Sequence, residues 1–597
     1  MLELSSHLTI INMEIPMQRL EKMLDSYILR TFGRDFAFRS QQKEVILDIV
    51  NAFFDSNCNL YLLDAPTGSG KSIIAMTVAG FLSEFKMRGY ILASDLMLQN
   101  QYEKDLKRYR LDWGSIKGVD NYSCVVNSEK FSMGECRMKN VSYEDSEALP
   151  CFNDCGYLYS RKLAIKAPVS ILNYSYWLIQ RNYVEGKMQE NGRGVPFPKR
   201  DFTFCDEAHK VAEIVQNHFS PRIDEKSFDK LDKLRSMITK NNIAYIRSTP
   251  AKIRLVINNL KKEKDPDKIY FQLKEFELIL SDYVKAGLKL KEHTASKYPK
   301  GVVVPKEWRF YLGLADWVKD CHCKFEDYNH IISQVGLDKM IKNDQGEQIM
   351  FNCLDESYMM DRHFHSQASF KLLMTATMGE PSVFLKNIGA TDARYFKMDT
   401  HFDFEKSPIY FYPKRRMSMA QKEKNFPWMQ AKIDEILTNH PDENGIIHTG
   451  SYDNSIKVFE SLSEENKKRV LVYQNSQEKE TVLQKFIAEK NLILMGPSIL
   501  EGLDLAAEKS RFQVFLKVPF PSMGDKFVAA KMSYQPDWYD WKTVISVLQG
   551  VGRSVRSEED WAVTYFLDGC LTDLLRRRRS SFPSEFQRRI KVIQEDI

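Results

Sequence analysis

The sequence predicts an α/β protein organised around parallel β-sheets, and three features carry that expectation. Short apolar runs recur along the chain, each ending in a small polar loop: "LYLLD" before "APTGSGKS", "YILAS" before "DLMLQNQ", "FTFC" before "DEAH" and "KLLM" before "TATM". Further on come "GIIHTGS", "RVLVYQ", "LILMGPS", "QVFLKVPF" and "AVTYFLD". Runs of this length followed by helical patterns read as buried parallel strands, and ligands of such sheets bind at the strands' carboxyl ends, where these polar loops fall. Third, the period changes between about 210 and 365. Phe228, Leu231, Leu234 and Ile238 recur at helical spacing, Phe271, Leu278 and Leu280 less regularly. A mostly helical insertion therefore interrupts one sheet. A second α/β set begins near 400.

The chain has 597 residues, too many for one hydrophobic core, so three to five domains are expected. No apolar run is long enough for a membrane helix. The N-terminus "MLELSSHLTIINMEIPM" lacks a basic region before its apolar residues, so the expected compartment is the cytoplasm, where clustered cysteines bind metal or do redox chemistry more often than they pair. With 85 basic residues against 80 acidic ones, net charge permits nucleic-acid binding without arguing for it. The run Arg576 to Arg579 reads as a solvated helix face.

Taking the chain in order, Ala65, Pro66, Thr67, Gly68, Ser69, Gly70, Lys71 and Ser72 follow a strand and precede a helical pattern. Small residues let backbone N–H groups close round phosphate oxygens, Lys71 reaches the terminal phosphates, and Ser72 can ligate Mg2+. Asp206 and Glu207 end a second strand. Beside a phosphate loop, Asp206 suits the magnesium ion and Glu207 the attacking water. His209 either couples this site to neighbouring loops or caps a helix. Near the C-terminus, "QGVGRSVRS" sets Gln549, Arg553 and Arg556 on one helical face, where two arginines can meet the spread charge of a phosphoryl transition state.

These segments resemble motifs I, II, III and VI of superfamily 2 helicases, and more specifically the iron–sulfur DNA helicases of the XPD and DinG type. "KGVDNYSC" resembles that family's entry to a cluster domain and "CGYLYSRKLAIKAPVSILNYSYWL" its exit. "EGLDL" looks like motif V, "KVPFPSMGD" like the family's Pro-Phe-Pro segment, and "GRSVRSEEDWAVTYFLD" like the motif VI tail. The resemblance implies two RecA-like parallel-sheet motor domains with a small iron–sulfur insertion and a helical Arch-type insertion in the first. The implied boundaries are motor domain 1 over 1–115, 166–212 and 368–400, the cluster domain over 116–165, the Arch over 213–367 and motor domain 2 over 401–597. The resemblance further implies that Arg39 and Gln42 read adenine, that Thr375, Ala376 and Thr377 couple hydrolysis to motion, that Gly502 and Asp504 line the cleft, and that Arg553 and Arg556 act across it.

Four of the ten cysteines, Cys124, Cys136, Cys151 and Cys155, fall within 32 residues, separated by eleven, fourteen and three residues. Four thiolates can hold [4Fe–4S] or zinc, and the spacing favours neither strongly. The family context favours the cluster, although XPD-type members keep the middle pair close and here the last pair is close. Near it, Lys117, Arg137 and Arg161 are candidates for DNA phosphate, and Tyr122 and Tyr157 for base stacking. The function implied is an ATP- and Mg2+-dependent helicase on single-stranded and forked DNA, moving 5′-to-3′, with protein partners possible. A DEAH-type RNA helicase, or a nucleic-acid-bound ATPase acting as a clamp or scaffold, are the other readings.

Overall fold

The apolar runs become two seven-stranded sheets, all parallel. The computed structural model describes residues 16–594 except 55–57, 140, 142, 144, 185–196, 300, 400–403, 498–506 and 553–559. Across the first sheet the order is Arg394–Lys397, Leu60–Asp64, Ala368–Thr375, Arg200–Asp206, Gly89–Ala93, Val169–Asn173 and Gly114–Ser115. The inner strands are mostly apolar and buried because helices cover both faces, whereas the edge strand Arg394–Lys397 is mostly exposed. Leu60 and Leu62 face one core while Tyr61 and Leu63 face the other, with Ile46, Ile74 and Val78 of the flanking helices.

The strand order brings the polar loops together. Leu60–Asp64, Ala368–Thr375 and Arg200–Asp206 are neighbours, with Asp64 opposite Thr375 and Asp206 opposite Met374. "APTGSGKS", "TAT" and "DEAH" thus leave the sheet side by side at its carboxyl edge. The second sheet runs Val470–Val472, Ile493–Gly496, Gly445–His448, Phe512–Phe515, Val563–Phe566, Ile409–Phe411 and Ile590–Val592.

The cysteine-bearing insertion lies between strands Gly114–Ser115 and Val169–Asn173 of the first sheet. It consists of short helical turns and the helix Gly156–Lys166, packed around buried Phe131, Phe152 and Tyr157.

The larger insertion holds four long helices, Glu225–Lys240, Pro250–Lys262, Pro266–Lys297 and Lys306–Val335. Their starts are encoded locally: Asp224 and Ser227 form a capping box, and Thr249 and Asp265 cap helices that begin with proline. Phe228, Leu231, Leu234 and Ile238 are buried as their spacing requires. Phe271 and Leu278, in contrast, are 69% and 70% exposed. The buried stripe of that helix is Ile269, Leu273, Phe276, Leu280, Tyr283 and Leu290. The insertion also carries a three-stranded antiparallel sheet, Arg222–Asp224, Gln348–Cys353 and Met340–Gln345, whose hairpin turns at Gly346 with φ +65°. Among the described residues, no helix is long and apolar enough to cross a membrane.

Candidate active site

The phosphate loop is held open by backbone geometry. Gly68 and Gly70 sit at φ +80° and +79°, the left-handed region, and Gly70 leads into the helix Lys71–Glu84. A Cβ on Gly70 would be strained by this backbone conformation and would also come within 2.2 Å of Gln42 Nε2, displacing that amide. Gln42 is buried beneath the loop. Its Nε2 donates to the Ser69 carbonyl at 2.6 Å, and its Oε1 accepts from the Arg39 backbone N–H at 2.7 Å. Both ends of this amide brace the loop, while the Arg39 side chain is exposed. Lys71 Nζ reaches back to the Ala65 carbonyl at 3.3 Å. Ser69 Oγ is buried and has no hydrogen-bond partner among the described residues. An orphaned hydroxyl in a glycine-rich loop at a helix N-terminus fits a phosphate oxygen.

Asp206 is buried at the adjacent strand end. Its Oδ2 accepts from the Tyr102 hydroxyl at 2.9 Å and its Oδ1 from the Glu207 backbone N–H at 2.9 Å. Burial pushes its pKa up to about 6, against the pull of Lys71 and with a push from Glu207. A divalent ion beside it would reverse that balance, because the ion's charge would dominate so small a site. Asp206, Ser72 and the nearby loop thus fit Mg2+. Glu207 stands at φ +53°, a backbone conformation rare for a side chain of this size and typical of residues held for function.

His209 joins the DEAH and TAT loops to the helix that carries Gln549. Its Nδ1 lies 2.9 Å from Thr375 Oγ1 and 3.4 Å from Glu207 Oε2. The Gln549 side-chain amide donates to its Nε2 at 2.5 Å. With Nε2 accepting, Nδ1 carries the proton and donates to Thr375. Thr375 Oγ1 in turn accepts from the Thr377 backbone N–H at 3.1 Å. Gln549 belongs to the helix Pro536–Val551 that packs on the second sheet, and Gly552, directly after that helix, lies against Thr67 of the phosphate loop. Arg553, Arg556, Gly502 and Asp504 lie outside the described residues.

The four clustered thiols influence one another: Cys155 and Cys124 both act on Cys136 and Cys151. Cys124 is buried, which raises its pKa, but backbone N–H groups of Asn127, Glu135 and Val126 outweigh burial and lower it. Donors converging on one sulfur suit a thiolate. Among the described residues no three His, Cys, Asp or Glu side chains form a group able to hold a single metal ion.

Two of the proposed strand contacts are corrected. Arg161 is buried, its guanidinium 4.4 Å from the Tyr143 ring centre. Tyr157 is 1% exposed, with its hydroxyl 3.2 Å from that of Tyr176. Both pack the insertion and neither faces a strand. Lys117 pairs with Glu103 at 2.8 Å, its backbone N–H donates to the Tyr122 hydroxyl at 3.1 Å, and Arg137 lies over Tyr143. Tyr102 and Tyr174, whose hydroxyls hold the Asp206 carboxylate and carbonyl, went unread in the sequence because no local pattern links them to "DEAH".

Two family models match the chain: the helicase C-terminal domain over residues 433–589 and the type III restriction enzyme res subunit over 35–231. No curated protein matches it. Among solved structures, Xpd4 of S. tokodaii is 14% identical, covering 93% of this chain and 100% of that one with a TM-score of 0.58. A structure described as an XPD helicase is 15% identical over the same shares, with a TM-score of 0.59. At these identities the likeness is one of fold.

Proposed function

We propose that this chain is a superfamily 2 helicase of the XPD/DinG type that unwinds DNA by moving 5′-to-3′ on a single strand, a reading its two family models and its fold support. The observation that carries a motor reading is the bond between Gln549 and His209. It ties the second motor unit to the residue that also touches Thr375 and Glu207.

ATP would seat its phosphates over Ser69 to Ser72, with Lys71 on the terminal group. Asp206 and Ser72 would hold Mg2+, which would neutralise charge on the leaving phosphates. Glu207 would orient the attacking water, its carboxylate steadied by His209. When the terminal phosphate leaves, Glu207 loses its partner and His209 is free to shift. That shift passes to Thr375 on one side and Gln549 on the other, which is how hydrolysis would become domain movement. Arg553 and Arg556 would complete the charge on the far side of the cleft.

Cys124, Cys136, Cys151 and Cys155 would hold a [4Fe–4S] cluster, supported by their shared electrostatic environment and the N–H donors on Cys124. The cluster would supply a rigid staple for an insertion built mainly of short turns. Lys117 and Arg137 remain candidates for the backbone of the passing strand, and single-stranded and forked DNA are the proposed partners.

The test is unwinding of matched DNA and RNA forks bearing either a 5′ or a 3′ tail. Unwinding of the 5′-tailed DNA fork is expected. Unwinding of RNA alone would move the chain to the DEAH-type RNA helicases, and opening of only the 3′-tailed DNA fork would reverse the polarity.

A further inference from the structure

One helical hairpin of the second motor unit grips both the ATP-site loops and the large insertion. Its arms are Lys526–Tyr534 and Pro536–Val551. On the second arm Trp538, Trp541, Ile545 and Gln549 share one face. Two turns before Gln549, the Trp541 side chain is 1% exposed, and its indole N–H donates to the Met378 carbonyl at 2.9 Å, directly after Thr375 to Thr377. The indole also lies close against the next residue. A Cβ on Gly379, at φ +65°, would meet Trp541 Cδ1 and Nε1 at 3.1 Å. The Met378 backbone N–H also acts on the Asp64 carboxylate, at the end of the phosphate-loop strand. Met378 therefore sits between the end of the phosphate-loop strand and Trp541, and Trp541 holds its carbonyl.

The first arm ends in the insertion. Lys531 is 2% exposed, and its Nζ donates to Glu356 Oε2 at 2.9 Å and to the Leu354 carbonyl at 2.8 Å. Asp525, which caps this arm by accepting from Phe527 and Val528, also accepts from Asn343 Nδ2 at 3.0 Å in the insertion's hairpin. Lys526 pairs with Asp344 of the same hairpin. Sliding the arm away would leave a buried charge unpaired. The hairpin is also fixed to its own domain. Arg577 binds Asp540 through two bonds of 2.8 and 2.9 Å, and Arg578 binds Asp537 and Asp540, so half of the arginine run is structural and not a free solvated face.

We propose that this hairpin is a lever carrying movement of the Thr375–Met378 loop into the large insertion, with Trp541 as positioning residue at the loop end and Lys531 at the insertion end. The proposal rests on the helicase reading. A loop that shifts as phosphate leaves drags the Met378 carbonyl and hence the indole. The rigid hairpin then turns at its other end against Glu356 and the Met340–Cys353 strands.

Two variants of the full chain test it. Trp541→Phe keeps the ring and removes the N–H. Lys531→Met combined with Glu356→Gln replaces the ion pair by side chains of similar volume. ATP turnover on single-stranded DNA, base pairs unwound per ATP on a forked duplex, and thermal midpoint are measured for each and for the combination. Expected are turnover within about twofold of the parent and a fall of about tenfold in base pairs per ATP, the factor one lost buried hydrogen bond represents. The combination should be no worse than the more damaged parent variant, because both cut one lever. Unchanged base pairs per ATP in Trp541→Phe, or losses that add and that track ATP turnover or the thermal midpoint, would overturn the lever. A parent chain inactive on every nucleic acid would overturn the helicase reading and the lever with it, and this shows before any variant is made.

Discussion

Replacing Tyr102 by Phe should weaken magnesium use without touching any group that meets ATP. The Tyr102 ring is fully buried and Asp206 is 2% exposed, and the hydroxyl donates to the carboxylate at 2.9 Å. A hydrogen bond to a buried charged acceptor contributes about 1.5–3 kcal/mol. At 1.36 kcal/mol per pKa unit, its loss raises the Asp206 pKa by about one to two units above its present value of about 6. At pH 7 the ionised fraction then falls by up to about tenfold, and metal binding needs the ionised form. The assay is ATP turnover at saturating ATP while Mg2+ is varied, at pH 7 and again near pH 9. The half-saturating Mg2+ should rise up to about tenfold at pH 7, and the difference should close at the higher pH. An unchanged Mg2+ dependence, or a defect equal at both pH values, would refute the role given to Tyr102 and weaken the assignment of Asp206 as the metal carboxylate.

Gly70→Ala should abolish nucleotide binding as measured by fluorescence titration, since a Cβ would meet Gln42 at 2.2 Å from a left-handed backbone. Near-normal binding would contradict the loop geometry. His218 is held down to about 4, first by burial and then by Lys324, His363 and Arg222. The unfolded chain binds more protons between about 6.5 and 4, so stability is full above that window and lost as pH falls through it, by about 3 kcal/mol. Denaturant midpoints measured from pH 7.5 to 4.5 check this, and His218→Asn should flatten the profile. Cys124→Ser should lower iron content and visible absorption in anaerobically purified protein, and an unchanged spectrum would remove Cys124 from the ligand set.

Much of the frame was legible because its signals are local. A five-residue apolar run before a Gly-rich loop can hardly be anything but a strand feeding a phosphate site, and the sheet places it so. What the sequence could not state is which strands are neighbours. The adjacency of Leu60–Asp64, Ala368–Thr375 and Arg200–Asp206, which joins three motifs into one site, follows from long-range pairing. That the Gln42 amide spans Arg39 and Ser69 is a fact of packing and not of pattern. Phe271 and Leu278 misled because two exposed apolar residues seven apart mimic a buried stripe, while Leu273, Phe276 and Leu280 form the real one. Arg161 and Tyr157 misled for the opposite reason. Their residue types suit DNA, but an aromatic cluster with Tyr143 and Phe131 takes them inside. The hairpin at Gly346 was hidden within a segment dominated by helical spacing.

The central claim is that Lys71, Asp206, Glu207 and His209 run a nucleic-acid motor. The most direct test is steady-state ATP turnover by the purified chain, alone and with single-stranded DNA or RNA, beside Lys71→Ala. Single-stranded DNA should stimulate turnover by about tenfold or more, on the scale of the transition-state stabilisation a completed site provides, with RNA well below it and Lys71→Ala inactive throughout. Turnover that ignores both nucleic acids, or survives the loss of Lys71, would contradict it.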